Sequence, residues 1–252
     1  MISEILIIIF LILITLLIFW KKNFKIASSL DIFDDYKSNR KIKKKKTPLT
    51  GGLILMSFIY LFYFFNLLDF VIVDELKYDF NLPLYFIIIN LIFFLGLIDD
   101  KIDLSPNIKL LSFILIFFII SYLDKGDLLI DILRFNDLNF VLNIYSFSIV
   151  FIIFCLIVFV NATNMFDGIN LQCSSYFLFL NIYLQLILKI DALLILLMIG
   201  LIFFMFLNYK NKSYLGDSGV YILAFITGII IIKSYNEGLL FCDQILLMML
   251  IP

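Results

Sequence analysis

The sequence predicts an all-α, polytopic integral membrane protein, a helical bundle of about nine transmembrane helices. Of its 252 residues, 63% are hydrophobic, and the mean hydropathy is +1.11, whereas soluble domains are roughly 45–50% apolar. Runs such as ILIIIFLILITLLIF and YFIIINLIFFLGLI are apolar without a break. Such runs indicate helices that face lipid, because soluble helices carry an apolar stripe on one side only. The short alternating segments of a membrane β-barrel are absent.

Nine stretches are long and apolar enough to be assigned as spans, since a helix needs about 20 mostly apolar residues to cross a bilayer. The first lacks a basic amino-terminal region and a small-residue cleavage site, so we expect a retained helix rather than a signal peptide. Three cysteines in or beside apolar runs predict free thiols rather than a disulfide framework. The predicted spans are 4–20, 49–68, 82–98, 106–123, 143–160, 173–188, 191–208, 218–233 and 239–252.

The distribution of lysine and arginine predicts the orientation. With the segment after the first span in the cytoplasm, loops on that side hold 14 of these residues and the opposite loops hold 5, which satisfies the positive-inside rule. The basic run RKIKKKK is expected to set topology or to bind anionic headgroups of membrane lipid. Attraction of anionic substrates to the surface is a compatible alternative. No nucleic-acid partner is expected, because nothing soluble remains to form a binding domain.

Four polar segments fall on the predicted cytoplasmic side. They are TPLTGGL (47–53), GLIDDKIDLSPNIK (96–109), NATNMFDGIN (161–170) and YLGDSG (214–219). The outer loops are mainly acidic. The convergence of four such segments on one side predicts a single site at the cytoplasmic face.

Four carboxylates at the ends of apolar runs indicate the chemistry of this site. Asp99, Asp100, Asp167 and Asp217 would be costly near the membrane without a function, and together they would repel one another. A divalent cation relieves that repulsion. Since the chain has no histidine, oxygen ligands predict Mg²⁺, with Mn²⁺ as the alternative, rather than zinc. Mg²⁺ typically takes one or two carboxylates plus phosphate oxygens of a substrate, which suggests phosphoryl chemistry.

Each segment taken singly also has a purely structural interpretation. Adjacent acids are common at helix ends. Asp217 or Ser218 could cap the next helix, whose amino terminus also favours an anion. Gly51 and Gly52 would let the backbone approach a ligand, or would serve helix packing.

In this order and topology, the four segments resemble those of the polyprenyl-phosphate N-acetylhexosamine-1-phosphate transferases. TPLTGG resembles the Thr-Pro-x-x-Gly-Gly segment of that superfamily, and GLIDDKIDLSPNIK its Asp-Asp motif followed by Leu-Ser and a lysine. NATNMFDGIN is similar to its Asn-x-x-Asn-x-x-Asp-Gly segment, and YLGDSG to its Gly-Asp-x-Gly segment. The resemblance covers nearly the whole chain. Short loops and DLSP favour the branch that initiates O-antigen or teichoic acid over the peptidoglycan branch.

The resemblance implies a Mg²⁺-dependent transferase in the bacterial inner membrane, with its active site facing the cytoplasm. Its partners would be a UDP-N-acetylhexosamine, undecaprenyl phosphate and membrane lipid; a homodimer is left open. The implied catalytic residues are Asp99, Asp100 and Asp167, and the implied metal ligand is Asp217. The implied substrate-binding residues are Thr47, Gly51, Gly52, Lys109 (a phosphate contact), Asn161, Asn164 and Tyr214 (a stacking partner for uracil).

Two departures from the family pattern qualify this assignment. Asn170 stands where the family often has a second aspartate. The family also continues past MMLIP into a histidine-rich cytoplasmic loop, so the single domain 1–252 is expected to lack that loop and the last helices. A truncated or inactive homologue is therefore one alternative. A cation-coupled transporter is another, although its ionisable residues should lie mid-span in broken helices.

Overall fold

The computed structural model describes residues 2–34, 46–68, 82–124, 127–135, 141–188 and 192–249. Nine α-helices form most of this described part. They are α1 (Ile2–Leu30), α2 (Gly51–Leu67), α3 (Leu82–Ile102), α4 (Pro106–Leu123), α5 (Ser148–Phe166), α6 (Gln172–Ile187), α7 (Ala192–Tyr209), α8 (Gly216–Asn236) and α9 (Cys242–Met249).

Six helical segments in the described ranges are long and apolar enough to cross a membrane. They are Glu4–Leu30, Leu82–Ile102, Pro106–Leu123, Tyr145–Phe166, Ala192–Tyr209 and Gly216–Asn236. This confirms an all-α, polytopic membrane protein. Helix α2 is apolar but has 17 residues, and α6 has 16. The count of nine spans stays a prediction, and the end of the ninth, residues 250–252, lies outside the described residues.

Helix α1 runs ten residues beyond the predicted end of the first span. Its 29 residues extend about 43 Å at 1.5 Å per residue, which exceeds the roughly 30 Å of a hydrocarbon core. The extension is helical because Asn23 and Ala27, one turn apart, are buried on one face. Lys21, Lys22 and Lys25 therefore lie on a helix rather than in a loop.

Helix α8 is the centre of the bundle. Every residue from Ser218 to Tyr235 is buried, as expected for a helix that is apolar on all sides. Helices α2, α3, α5 and α6 pack around it. From α4, Phe117 stacks on Phe225 with ring centroids 6.0 Å apart. Helix α8 thus fixes the positions of the helices that pack directly against it.

Glycines bring α2 and α3 unusually close to the first turn of α8. A Cβ placed on Gly96 would lie 2.3 Å from the Cα of Ser218, and one on Gly52 would lie 2.7 Å from the nitrogen of Gly219. The Gly51 and Gly52 N–H groups donate to the carbonyls of Tyr214 and Leu215 at 3.0 and 3.1 Å. Such contacts leave no room for a side chain. The packing interpretation of Gly51 and Gly52 is therefore the one that the structure favours.

Two short antiparallel hairpins, which the sequence did not indicate, lie in the connections between helices. Strand β1 (Phe33–Asp34) pairs with β2 (Thr47–Pro48), and β3 (Ile132–Arg134) pairs with β4 (Val141–Asn143). The second hairpin is held to the end of α8, where the hydroxyl of Tyr235 donates to the Ile132 carbonyl at 2.6 Å. Strands of two or three residues pair their own backbone groups but carry too short a pattern to be recognised.

We expect the substitution Gly96→Ala to destabilise the bundle, because the added methyl group would overlap the backbone of α8. Overpacking of this kind costs about 1–3 kcal/mol. The measurement is the thermal midpoint of the detergent-solubilised protein. Gly168→Ala is the matched control, since nothing lies within 4 Å of a Cβ at Gly168. Equal midpoints for the two variants would contradict the close approach of α3 and α8.

Candidate active site

The four polar segments meet at one end of the bundle, around the first turn of α8. The segment 47–53 contacts it through the glycine hydrogen bonds described above. The segment 96–109 contacts it through Asp100, whose carboxylate accepts the Asp217 N–H. The segment 161–170 is adjacent, because the following Leu171 N–H donates to the Asn208 side chain at 2.9 Å, at the end of α7. The cytoplasmic orientation of this end stays a prediction.

Asp100 caps α8 from the end of α3. Its carboxylate accepts the N–H of Asp217 at 2.7 Å, the N–H of Ser218 at 3.2 Å and the hydroxyl of Ser218 at 2.7 Å. The unpaired N–H groups and positive potential of a helix amino terminus favour such an anion. Gly216 has φ +74°, and a Cβ there would lie 2.8 Å from the Asp100 carboxylate. Asp217 and Ser218 are thus donors to the cap, not the cap itself.

Asp99 points away from Asp100 into a buried polar cluster. Successive helical residues point about 100° apart, so the two carboxylates have different partners. The Asp99 Oδ1 accepts the Leu104 N–H at 2.9 Å, and its Oδ2 accepts the Tyr221 hydroxyl at 2.7 Å. Lys109 Nζ lies 2.7 Å from the same Oδ2. Asp99 is 3% exposed, so these donors enclose it.

A tight turn between α3 and α4 brings Lys109 back to Asp99. Asp103 has φ +51°, a left-handed conformation that aspartate tolerates. Pro106 occupies the start of α4, where its missing N–H costs nothing. Lys109 follows within the first turn and also lies 3.8 Å from Asp217 Oδ2. The side-chain exposures are 0% for Asp99, 20% for Lys109 and 30% for Asp217, so Asp217 is the most open of the three.

Asp167 lies just after α5 and is half-buried. Burial raises the pKa of its carboxyl group from 3.8 to about 6, and the charge of Asp100 adds to the shift. The Asp167 carboxyl group is therefore close enough to Asp100 for the two charges to interact, although burial away from water is the larger cause of the pKa shift.

Residues 82–235, more than half of the chain, match the family model described as glycosyl transferase family 4. The chain belongs to glycosyl transferase family 4. It is therefore a membrane-embedded transferase, and the matched range contains the segments 96–109, 161–170 and 214–219. No curated protein matches the chain.

The carboxylates of this transferase fit a Mg²⁺ ion that is shared with a substrate. In the described residues, no three Asp, Glu, His or Cys side chains are grouped to hold a metal by themselves. Mg²⁺ does not require such a group, since it usually takes one or two carboxylates and completes its shell with phosphate oxygens and water. The partly exposed Asp217 is the carboxylate most available as a ligand. Asp99 and Asp100 already accept hydrogen bonds, and Mg²⁺ or Mn²⁺ binding stays a prediction.

The other predicted binding residues lie at the same end of the transferase but differ in accessibility. Thr47 is buried in β2. Asn161 is exposed, and its amide donates to the Ile157 carbonyl at 2.8 Å. Asn164 is half-buried, and its carbonyl accepts the N–H of Asp167. Tyr214 is half-buried, and its N–H donates to the Pro48 carbonyl at 2.8 Å. No described contact assigns these residues to a ligand, so their binding roles stay predictions.

A buried polar network behind the site was not expected. The Thr50 hydroxyl donates to Asn23 Oδ1 at 2.5 Å and lies 2.8 Å from the Ser213 hydroxyl. Asn208 donates to the Ser213 carbonyl at 2.9 Å. These bonds connect α1, the loop before α2 and the loop before α8. In the sequence, the only sign of this network was Asn23, an uncharged polar residue among the lysines near the end of α1.

Asn170, which stands where the family often has a second aspartate, lies beside Asn208 of this polar network. Its amide donates to the Asn208 carbonyl at 3.3 Å and to Asn211 Oδ1 at 2.8 Å. A carboxylate has no proton to donate at neutral pH, so aspartate would lose both bonds. The amide therefore suits the loop packing of this chain.

We expect Asp100→Asn to lower the stability of the transferase by about 1–2 kcal/mol, because an amide nitrogen would face the N–H donors of α8. The readout is the thermal midpoint in detergent. Asp103→Asn, an exposed acid on the same turn, is the matched control and should leave the midpoint unchanged. An unaltered midpoint for Asp100→Asn would show that the cap is dispensable.

Asp167 is expected to make stability depend on pH in a defined direction. Its folded pKa of about 6 lies above 3.8, so the folded state holds the proton more tightly than the unfolded chain. The resulting stabilisation is present below about pH 4 and is lost as the pH rises through about 6. Asp167→Asn should therefore stabilise the protein relative to wild type at about pH 7 more than at about pH 4. Thermal midpoints without divalent cations test this; a pH-independent difference would refute it.

Proposed function

We propose that this family 4 transferase moves N-acetylhexosamine-1-phosphate from a UDP-sugar to undecaprenyl phosphate and releases UMP. The observation that carries the proposal is the convergence of acids and a lysine on the first turn of α8, at one end of a membrane bundle. The members of this group are Asp99, Asp100, Asp167, Asp217 and Lys109. This placement gives a charged nucleotide and a membrane-bound phosphate a common meeting point.

The proposed reaction is one phosphoryl transfer. An oxygen of the lipid phosphate forms a bond to the β-phosphorus of the UDP-sugar, and the bond from that phosphorus to the bridging oxygen breaks. UMP leaves with the bridging oxygen, and the product is a lipid-linked pyrophosphoryl sugar. The lipid phosphate is already ionised near neutral pH, so it needs no base. The protein must chiefly position the two phosphates and neutralise their charge.

The residues have distinct roles in this proposal. Asp217 would hold Mg²⁺, which when bound neutralises charge on the phosphate oxygens. Lys109 would contact a phosphate, and Asp167 with Asn164 would form part of the nucleotide pocket. Asp100 orients the start of α8. Because three donors contact Asp99 and three contact Asp100, direct attack by the lipid phosphate is favoured over a covalent intermediate on either aspartate.

The proposed setting is the bacterial inner membrane, with the site at the cytoplasmic face. The 14-to-5 distribution of Lys and Arg supports this orientation. The product would initiate a cell-envelope polysaccharide, and the short loops favour an O-antigen or teichoic-acid pathway. A cation-coupled transporter is disfavoured, because the unbroken α3 and α8, each of 21 residues, carry their site carboxylates at helix ends.

We expect Asp217→Asn to lower transfer by at least roughly 10²-fold, since it removes charge stabilisation of the reacting phosphates. The assay measures labelled sugar transferred from UDP-N-acetylhexosamine to undecaprenyl phosphate in detergent, with and without Mg²⁺. Glu237→Gln, which changes an exposed acid at the opposite end of α8, should retain activity.

Retained activity of Asp217→Asn at ordinary Mg²⁺ concentrations would refute the metal assignment. A wild-type protein that transfers no sugar from UDP-N-acetylhexosamine in the presence of Mg²⁺ would refute the transferase proposal.

A further inference from the structure

Tyr221 lies one turn after Asp217 on the central helix and has no role in the function proposed above. It is buried, and its hydroxyl donates to Asp99 Oδ2 at 2.7 Å. The ring is held separately, because Phe113 packs edge-on against it with centroids 4.9 Å apart. The packing of the ring therefore does not explain why this position carries a hydroxyl group.

The hydroxyl belongs to a chain of contacts that ends at the proposed metal ligand. Asp99 Oδ2 is shared between Tyr221 and the ammonium of Lys109, which lies 2.7 Å away. The same ammonium lies 3.8 Å from Asp217. Of these side chains, Asp99 is fully enclosed, whereas Lys109 and Asp217 are partly exposed. A substrate phosphate could reach the last two but not Asp99.

We propose that Tyr221 is a positioning residue that acts through Asp99 to hold the Lys109 ammonium beside Asp217. This inference rests on the proposed function, in which Lys109 contacts a phosphate. In this role, Asp99 holds the Lys109 ammonium in place and does not act as a base.

The physical argument is one of conformational freedom. Lysine carries its charge on a flexible four-carbon stem. An ion pair with one carboxylate therefore fixes the position of the ammonium only if that carboxylate is itself held in place. The Leu104 N–H fixes one oxygen of Asp99, and the Tyr221 hydroxyl fixes the other. Without the hydroxyl, the carboxylate can rotate and Lys109 moves with it. The Asp100 cap is unaffected, because it uses other donors.

Tyr221→Phe tests the inference, because it keeps the ring and removes the hydroxyl. We expect kcat to fall roughly 10- to 100-fold, the range typical of misplaced catalytic groups, with a smaller change in the KM for the UDP-sugar. Tyr235→Phe is the matched control, because it removes a buried hydroxyl from the opposite end of α8, where that hydroxyl donates to the Ile132 carbonyl at 2.6 Å. The control should retain wild-type kcat.

A double variant separates positioning from general stability. If Tyr221 acts through Asp99, then Tyr221→Phe should have little further effect on transfer in an Asp99→Asn background. If Tyr221→Phe instead caused a general packing defect, its loss of transfer activity would multiply that of Asp99→Asn. Independent, multiplicative losses would overturn the inference.

A third measurement does not depend on activity. The acetylation rate of Lys109, followed by peptide mass spectrometry, should rise at least several-fold in Tyr221→Phe and stay at the wild-type value in Tyr235→Phe. The exposed Lys101 on α3 is the internal reference for folding. Unchanged labelling of Lys109 in Tyr221→Phe overturns the inference, whatever the activity. Faster labelling in a chain whose wild type transfers no sugar supports the hold on Lys109 and refutes the proposed function instead.

Discussion

The site depends on the contact between the Asp100 carboxylate and the first turn of α8. The first turn of α8 has N–H groups without partners inside the helix, and from Ser218 onward the helix is buried, so these groups need a partner from the protein. Asp100 provides one from the end of α3. The contact requires Gly96 and Gly216, where a side chain would overlap the opposing backbone or the carboxylate. Through it, the position of Asp217 relative to α3 is determined.

The adjacent Asp99 and Asp100 have opposite tasks because a helix separates neighbouring side chains by about 100°. Asp100 faces the backbone of α8 and sets its start. Asp99 faces Tyr221 and Lys109 and holds a cation. Together they place a lysine and a partly exposed carboxylate, Asp217, side by side. This arrangement suits a reaction in which two phosphates must be brought together and their charge neutralised.

The fold class and the grouping of the four segments could be predicted from the sequence, because hydropathy and positive charge report directly on the membrane. Boundaries were less predictable: α1 continues to Leu30 because Asn23 and Ala27 find burial against other elements. From the sequence, Gly51 and Gly52 could serve either the approach of a ligand or the packing of helices, and only their short distance to α8 favours packing. Asn170 stands where the family often has a second aspartate, and only the structure shows that its amide donates to the Asn208 carbonyl at the end of α7.

The sequence by itself determined that the chain is a polytopic membrane protein, and its motifs indicated a transferase family and the carboxylates and lysine of its site. These properties follow from composition and from the order of short motifs, which are local. Only the tertiary structure decided which carboxylate caps a helix, which one holds Lys109 and which one is left open, and that Tyr221 joins the cluster. The cap of Asp100 on α8 and the bond from Tyr221 to Asp99 join residues more than a hundred positions apart, and contacts at such separation leave no periodic or local signal in the chain.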